Sequence, residues 1–208
     1  MPKRTFFNLP IEKRETIEQR ALDEFAGYGY DRSNVNRIVA SSGIAKGSFY
    51  QYFDNKKDLY FHLIDSLVER KRKAIAPALE AGDATFVESL RALFRLGIEF
   101  ARADPRLVRL GADFAGKHPA FVAEFVEAYG PMGVDVYRAL LERAERSGEL
   151  REGLDIPLAA AFINAMASEL TVGLIGRGME RAERDGAVEA LLDFVGRAVL
   201  AGAEKRGA

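Results

Sequence analysis

The chain has 208 residues, 48% hydrophobic and 29% charged, a balance that supplies one sizeable core or two smaller ones and excludes wholesale disorder. It contains no cysteine, which excludes disulfides, thiolate zinc sites and cysteine nucleophiles. Net charge is −1, yet residues 1–75 hold 14 Lys and Arg against 10 Asp and Glu while the remainder hold 16 against 21; the front of the chain is the part suited to a polyanion, unless the asymmetry is only that of a solvated surface.

The opening MPKRTFFNLPIEKRE lacks an apolar h-region, and no uninterrupted apolar run reaches the roughly 18 residues of a membrane span. A cytoplasmic protein with no membrane partner is expected. Helical periodicity begins at Ile11–Phe25, entered through Pro10 and stopped by Gly27 and Gly29. Ser33 stands where an N-cap belongs, before Val35, Ile38 and Val39, and Gly43 stands where a left-handed residue ends a helix. A short helix follows over Ala45–Tyr52, and a longer one starts near Asn55 and carries Leu59, Tyr60, Leu63, Ile64, Leu67 and Val68 towards a boundary near Pro77 or Gly82.

Beyond that, Phe86–Ala103, Arg106–Ala115, Ala120–Tyr129 and Val134–Arg146 show helical spacing between Asp104-Pro105, Lys117-His118-Pro119 and Gly130-Pro131 breakers. Pro157 opens a helix running towards Gly176-Arg177-Gly178, and Val188, Leu191, Leu192, Val195 and Val199 mark the last one. With no strand-like alternation, the prediction is an all-α chain. Gly173, Gly176 and Gly178 follow no strand, so they are read as helix ends or close contacts and not as a dinucleotide fingerprint.

Two short helices joined at Gly43 have the form of a helix-turn-helix, whose second helix enters the major groove where base edges are distinguishable. Ile38, Val39, Ile44, Phe49 and Tyr52 are placed to pack the pair, leaving Asn36, Arg37, Lys46, Ser48 and Gln51 facing outward. Lys46 and Ser48 can reach bases or phosphates, Tyr50 and Gln51 can donate to the backbone, and Lys56 can grip a phosphate. Phe49 and Phe53 read as core, Tyr50 and Tyr52 as carriers of a surface hydroxyl.

The stretch GYDRSNVNRIVASSGIAKGSFYQYFDNKKDLYFHLI resembles the amino-terminal domain of the tetracycline-repressor (TetR) family of bacterial transcription regulators, over Ile11 to about Ile64. Gly29-Tyr30, Ile38, Gly43-Ile44, Lys46-Gly47-Ser48-Phe49-Tyr50, Tyr52-Phe53, Lys56 and Leu59 carry the likeness. Val39 and Ser42 stand where the family usually has alanines, and Ser33-Asn34 where it has a pair of threonines, so base contacts do not transfer. The resemblance implies DNA contacts by Ser33, Lys46, Ser48, Tyr50, Tyr52 and Lys56, to which the outward polar positions add Asn34, Arg37 and Gln51.

It further implies a reading domain over 1–54, a helix shared by both domains over 55–76, and an effector-binding and dimerisation domain over 77–208. A homodimer would then read a palindromic double-stranded operator as a repressor, released when a small apolar or aromatic effector shifts the shared helix. Phe94, Phe114, Phe121, Phe125, Tyr137, Phe162 and Asn164 are the candidate effector pocket, although helical aromatic stripes also serve as plain core. Met166, Leu170, Val188, Leu191, Leu192, Val195 and Val199 are the candidate pairing surface, with burial within one chain as the alternative. His118 reads as part of an exposed connector and His62 as a surface residue. No Ser/His/Asp elbow, HExxH motif or phosphate loop is present, so no enzyme, metal site or cofactor is expected. The rival reading is a helical small-molecule-binding or interaction protein that keeps the helix-turn-helix fold as scaffold.

Overall fold

The computed structural model of the chain describes residues 2–80, 84–129, 133–176 and 180–202. Among them the backbone forms eleven helices and no strand, with one isolated antiparallel bridge between Leu150 and Leu200. The expected breaks at Gly82, Gly130-Pro131 and Arg177-Gly178 lie outside the described residues.

In chain order the helices are α1 (Arg4–Phe7), α2 (Ile11–Arg32), α3 (Val35–Ser41), α4 (Lys46–Tyr52), α5 (Lys56–Glu80), α6 (Phe86–Ala103), α7 (Pro105–Lys117), α8 (Pro119–Tyr129), α9 (Val134–Arg146), α10 (Ile156–Gly176) and α11 (Arg181–Val199). Most limits follow local signals. Asp104 accepts the Arg106 amide at 3.1 Å with Pro105 at the first helical position of α7, and the Asn55 side chain accepts the Asp58 amide at 3.0 Å to start α5. Pro77 lies inside α5 and does not end it. α2 runs seven residues past Phe25, interrupted only at Gly29, whose φ of 71° no helix shares.

Contacts divide the chain into two compact units, Met1–Arg70 with Asp104–Gly130, and Lys71–Ala103 with Pro131–Ala208. The division falls inside α5 and places α7 and α8 with α1–α4, whereas the sequence suggested that everything from residue 77 onward forms one domain.

In the first unit α7 lies parallel to α2 in constant register. Arg106 reaches Asp23 at 2.6 Å and Gln19 at 2.8 Å; seven residues on, Asp113 accepts the Tyr30 amide at 2.9 Å, the same separation of 83 positions. Gly29 is needed at that second point twice over. Its φ is one L side chains rarely adopt, and a Cβ there would stand 2.8 Å from the Asp113 carboxylate. Asp113 is 8% exposed and also accepts the Tyr60 hydroxyl at 3.1 Å and pairs with Lys117 at 3.1 Å. Burial works against its charged form, but these donors outweigh it and hold its pKa below the usual carboxylate range.

The second unit has its own core, in which Phe86, Leu90 and Phe94 of α6 meet Tyr137, Leu140 and Leu141 of α9, Ala160 and Ile163 of α10, and Val188, Leu192 and Val195 of α11. Glu149 accepts the Phe86 amide at 2.8 Å, and Arg91 grips Glu189 through two nitrogens at 2.8 and 2.9 Å. One face of α10 stays uncovered. Over Ile156–Gly173 that helix is long and apolar enough to cross a membrane, with mean hydropathy 1.3, yet only 17% of the stretch is buried. The sequence reading missed this because interspersed Asn164, Ser168 and Glu169 break the apolar run without removing its average.

The lowered pKa of Asp113 gives a pH prediction. A group whose folded pKa is depressed stabilises above its unfolded value and loses that contribution as pH falls through the folded one. Melting temperatures measured across pH should therefore drop on the acid side of about pH 4, and Asp113→Asn should lower stability at neutral pH while flattening that acid limb.

Candidate nucleic-acid interface

The α3–turn–α4 pair is fastened to α2 before it presents anything outward. Glu24, 7% exposed, accepts the Asn34 amide at 2.8 Å and the Arg37 Nε and Nη2 at 2.8 and 2.5 Å. Arg37 also donates to the Arg32 carbonyl at 2.8 Å and lies 4.4 Å over the Tyr28 ring. Its Nε and Nη2 are thus engaged within the chain, and the bond to Glu24 raises its pKa. The α3 cap is Asn34, whose side chain accepts the Asn36 amide at 2.8 Å, and not Ser33. Ser33 is 7% exposed and its hydroxyl donates to the Tyr30 carbonyl at 2.6 Å, one of the last four carbonyls of α2, which have no full helical partner. The turn itself uses Gly43 at φ 65°, with the Ile44 amide on the Val39 carbonyl at 3.1 Å.

α4 is sharply two-faced. Phe49 (0% exposed) and Tyr52 (7%) are buried, and Ser48 is half-buried. Lys46, Gly47, Tyr50 and Gln51, at the i, i+1, i+4, i+5 spacing that lines one side of a helix, are all exposed. Lys46, Tyr50 and Gln51 carry side-chain polar groups with no hydrogen bond or ion pair among the described residues. Gly47 sits among them with nothing within 4 Å of where its Cβ would be. The fold does not require a glycine there, and one inside a helix costs roughly 0.5–1 kcal/mol relative to alanine; the bare backbone suits close approach by something outside the chain.

Of the nine residues expected to touch DNA, then, Lys46, Tyr50 and Gln51 are outward and uncommitted, Asn34 is exposed but caps α3, Ser48 is half-buried and Arg37 is engaged with Glu24. Ser33 and Tyr52 are turned inward. Lys56 donates to the Tyr30 and Ser33 carbonyls at 2.6 and 3.1 Å and sits 4.3 Å over the Tyr30 ring; burial lowers its pKa, and it caps the end of α2. The two histidines also differ from expectation. The His62 side chain is 13% exposed, bonded to Glu18 at 2.7 Å and edge-on to Phe6 at 5.3 Å, while the His118 side chain is 11% exposed and stacked on Phe121 at 5.1 Å.

The seven candidate pocket residues do not fall in one unit. Phe114, Phe121 and Phe125 belong to the first, where they meet Phe61 edge-on at 6.1, 5.7 and 5.6 Å and fill space as core. Phe94 and Tyr137 are buried in the second, Asn164 lies against Gly133, and Phe162 is 60% exposed. A cavity of about 20 Å³ between Leu22, Leu63, Leu107 and Leu110 is lined by none of them and holds at most one water. Four candidate pairing residues, Val188, Leu192, Val195 and Val199, are buried at 4% exposure or less, and Met166, Leu170 and Leu191 are half-buried. The uncovered apolar side chains are Leu158 (52%), Phe162 (60%) and Val172 (40%) on α10 and Phe194 (61%) on α11.

Glu24 was not singled out by sequence reasoning, and Gly47 entered only as part of the Lys46–Tyr50 run, with no role of its own. Glu24 carried one signal, an acidic residue between Leu22 and Phe25 on the apolar side of α2; Gly47 carried another, a glycine in the first turn of a short helix.

Known proteins match this arrangement. The model for bacterial regulatory proteins of the tetR family matches residues 17–63. A solved TetR family transcriptional regulator from Chloroflexus aurantiacus J-10-FL is 32% identical, covering 97% of this chain and 99% of its own, at a TM-score of 0.70. The HTH-type transcriptional regulator YezE of Bacillus subtilis is 28% identical over 174 residues, 80% of this chain and 89% of its own. The transcriptional regulator FadR of Bacillus subtilis, solved in complex with stearoyl-CoA, shares the fold at a TM-score of 0.73 and 21% identity, over 87% of this chain and 96% of its own.

The cap assignment predicts that Asn34→Ala costs about 1 kcal/mol in urea unfolding, and that Glu24→Ala costs about 0.5–1.5 kcal/mol because it removes the acceptor shared by the Asn34 amide and the Arg37 guanidinium.

Proposed function

Because the chain belongs to the TetR family of bacterial transcription regulators, we propose that it is a repressor that grips a palindromic operator as a homodimer through the exposed face of α4 and releases it on binding a small apolar effector. The observation that carries the reading is that face, where Lys46, Gly47, Tyr50 and Gln51 stand outward and unpartnered on a helix whose other side is buried. A helix is narrow enough for the major groove, Lys46 offers charge to a phosphate or a guanine edge, Gln51 offers a donor and an acceptor to adenine, and Tyr50 offers a hydroxyl to the backbone.

The homodimer is supported by the uncovered stripe of Leu158, Phe162 and Val172 with Ala165 between them, beside Phe194. The spacing 158, 162, 165, 172 keeps to one side of α10, and an isologous four-helix contact would cover it. Val188, Leu192, Val195 and Val199 are buried in the core of their own unit and stand outside this proposed surface. It also accounts for an apolar helix that is so little buried. The apolar effector is supported by the solved FadR complex with stearoyl-CoA and by α5, which carries residues of both compact units.

Selection from random duplex DNA tests the reading, and a palindrome with a steep negative salt slope is the expected product. On that operator, Lys46→Ala should weaken binding and relax base preference, whereas Tyr50→Phe should weaken all sequences alike. Gly47→Ala should raise folding stability by roughly 0.5–1 kcal/mol and lower operator affinity. Phe162→Glu with Phe194→Glu should yield a monomer in sedimentation and lose the two-headed affinity; a dimer that survives both charges rules that surface out. Acyl-CoAs of graded chain length, titrated into the complex, test release by an apolar ligand.

A further inference from the structure

α4 is seven residues long, and the last four carbonyls of any helix have no partner within it. The usual remedy, a left-handed glycine just past the end, is absent, since α4 stops at Phe53 in an extended conformation. All four carbonyls are nevertheless met. The Phe49 carbonyl accepts the Phe53 amide at 2.9 Å. The other three are met by one short segment far away in sequence. The Tyr50 carbonyl accepts the Lys3 ammonium at 2.9 Å, the Gln51 carbonyl accepts the Thr5 hydroxyl, and the Tyr52 carbonyl accepts the Lys3 backbone N–H at 2.8 Å.

That segment is itself anchored. Phe6 is fully buried, its ring 4.8 Å from Phe53 and 6.2 Å from Tyr52. Lys3 also pairs with Asp54 at 2.7 Å and holds that carboxyl below its usual pKa, while its ammonium stands at the negative end of the α4 dipole. Two of the capped carbonyls belong to Tyr50 and Gln51, the residues whose side chains stand on the exposed face. A terminal turn without these bonds frays or tightens, and base-edge hydrogen bonds need aligned donors where phosphate contacts tolerate displacement.

We propose that Lys3–Phe6 is a positioning element of the DNA reader: by capping the last turn of α4 from outside, it fixes the backbone under Tyr50 and Gln51 and so sets base discrimination more than overall affinity. The proposal rests on α4 being the reading helix.

Thr5 gives the cleanest test, since it is exposed and its change alters no charge. In the full chain, Thr5→Val removes the donor and keeps the shape, and Thr5→Ser restores it. Affinities are measured for the selected operator and its single-base variants, with the salt slope of each. Thr5→Val should shrink the ratio of operator to variant affinity about threefold to tenfold, the weight of one hydrogen bond, at an unchanged salt slope, and Thr5→Ser should recover it. A uniform loss on every duplex, or an unchanged ratio, overturns the positioning role while leaving α4 as the reader. A wild-type chain that shows no base preference at all overturns the reading helix and this proposal together.

Discussion

Seven residues is about half the length at which a helix holds itself in water, so α4 exists because of what surrounds it. Its inner side is fixed by Phe49 and Tyr52, packed with Phe53 and Phe6. Its entry is fixed by the Gly43 turn and by α3, which Glu24 ties to α2. Its exit is fixed by residues 3 and 5. An outward face that makes no bonds of its own can be presented rigidly only under such enclosure, since each fixed residue otherwise costs roughly 1–2 kcal/mol of conformational entropy.

The enclosure extends to segments far along the chain. α7 is held against α2 at two points seven residues apart, Arg106 with Asp23 and Asp113 with Tyr30. The second depends on Gly29 twice, for a backbone angle and for room. A buried carboxylate there is stable only because an amide, a hydroxyl and an ammonium converge on it. The carbonyls left open at the end of α2 are taken up by Ser33 and Lys56.

The second unit shows the complementary case. Its own core uses one side of α10 and α11, through Ala160, Ile163, Val188, Leu192 and Val195, and leaves Leu158, Phe162, Val172 and Phe194 uncovered. Scattered exposed leucines are ordinary on a protein surface, but two phenylalanines at 60 and 61% exposure in one unit, one of them on an apolar and little-buried helix, are the feature on which the proposed pairing surface rests.

The sequence by itself determined the all-helical architecture, most helix limits though neither α1 nor the end of α2, the Gly43 turn and the Lys46–Lys56 signature, because periodicity, capping and glycine angles are properties of neighbours within a few residues. It did not determine that Asn34 and not Ser33 caps α3, that Tyr50 faces out while Tyr52 faces in, or that Lys56 serves three carbonyls of its own chain. Nor did it separate the buried Val188 and Val195 from the exposed Phe194, or divide the aromatic residues between two units. Those outcomes belong to tertiary structure: an apolar or polar side chain carries the same local signal whether a distant segment covers it or not, and which face is covered is decided by elements dozens of residues away.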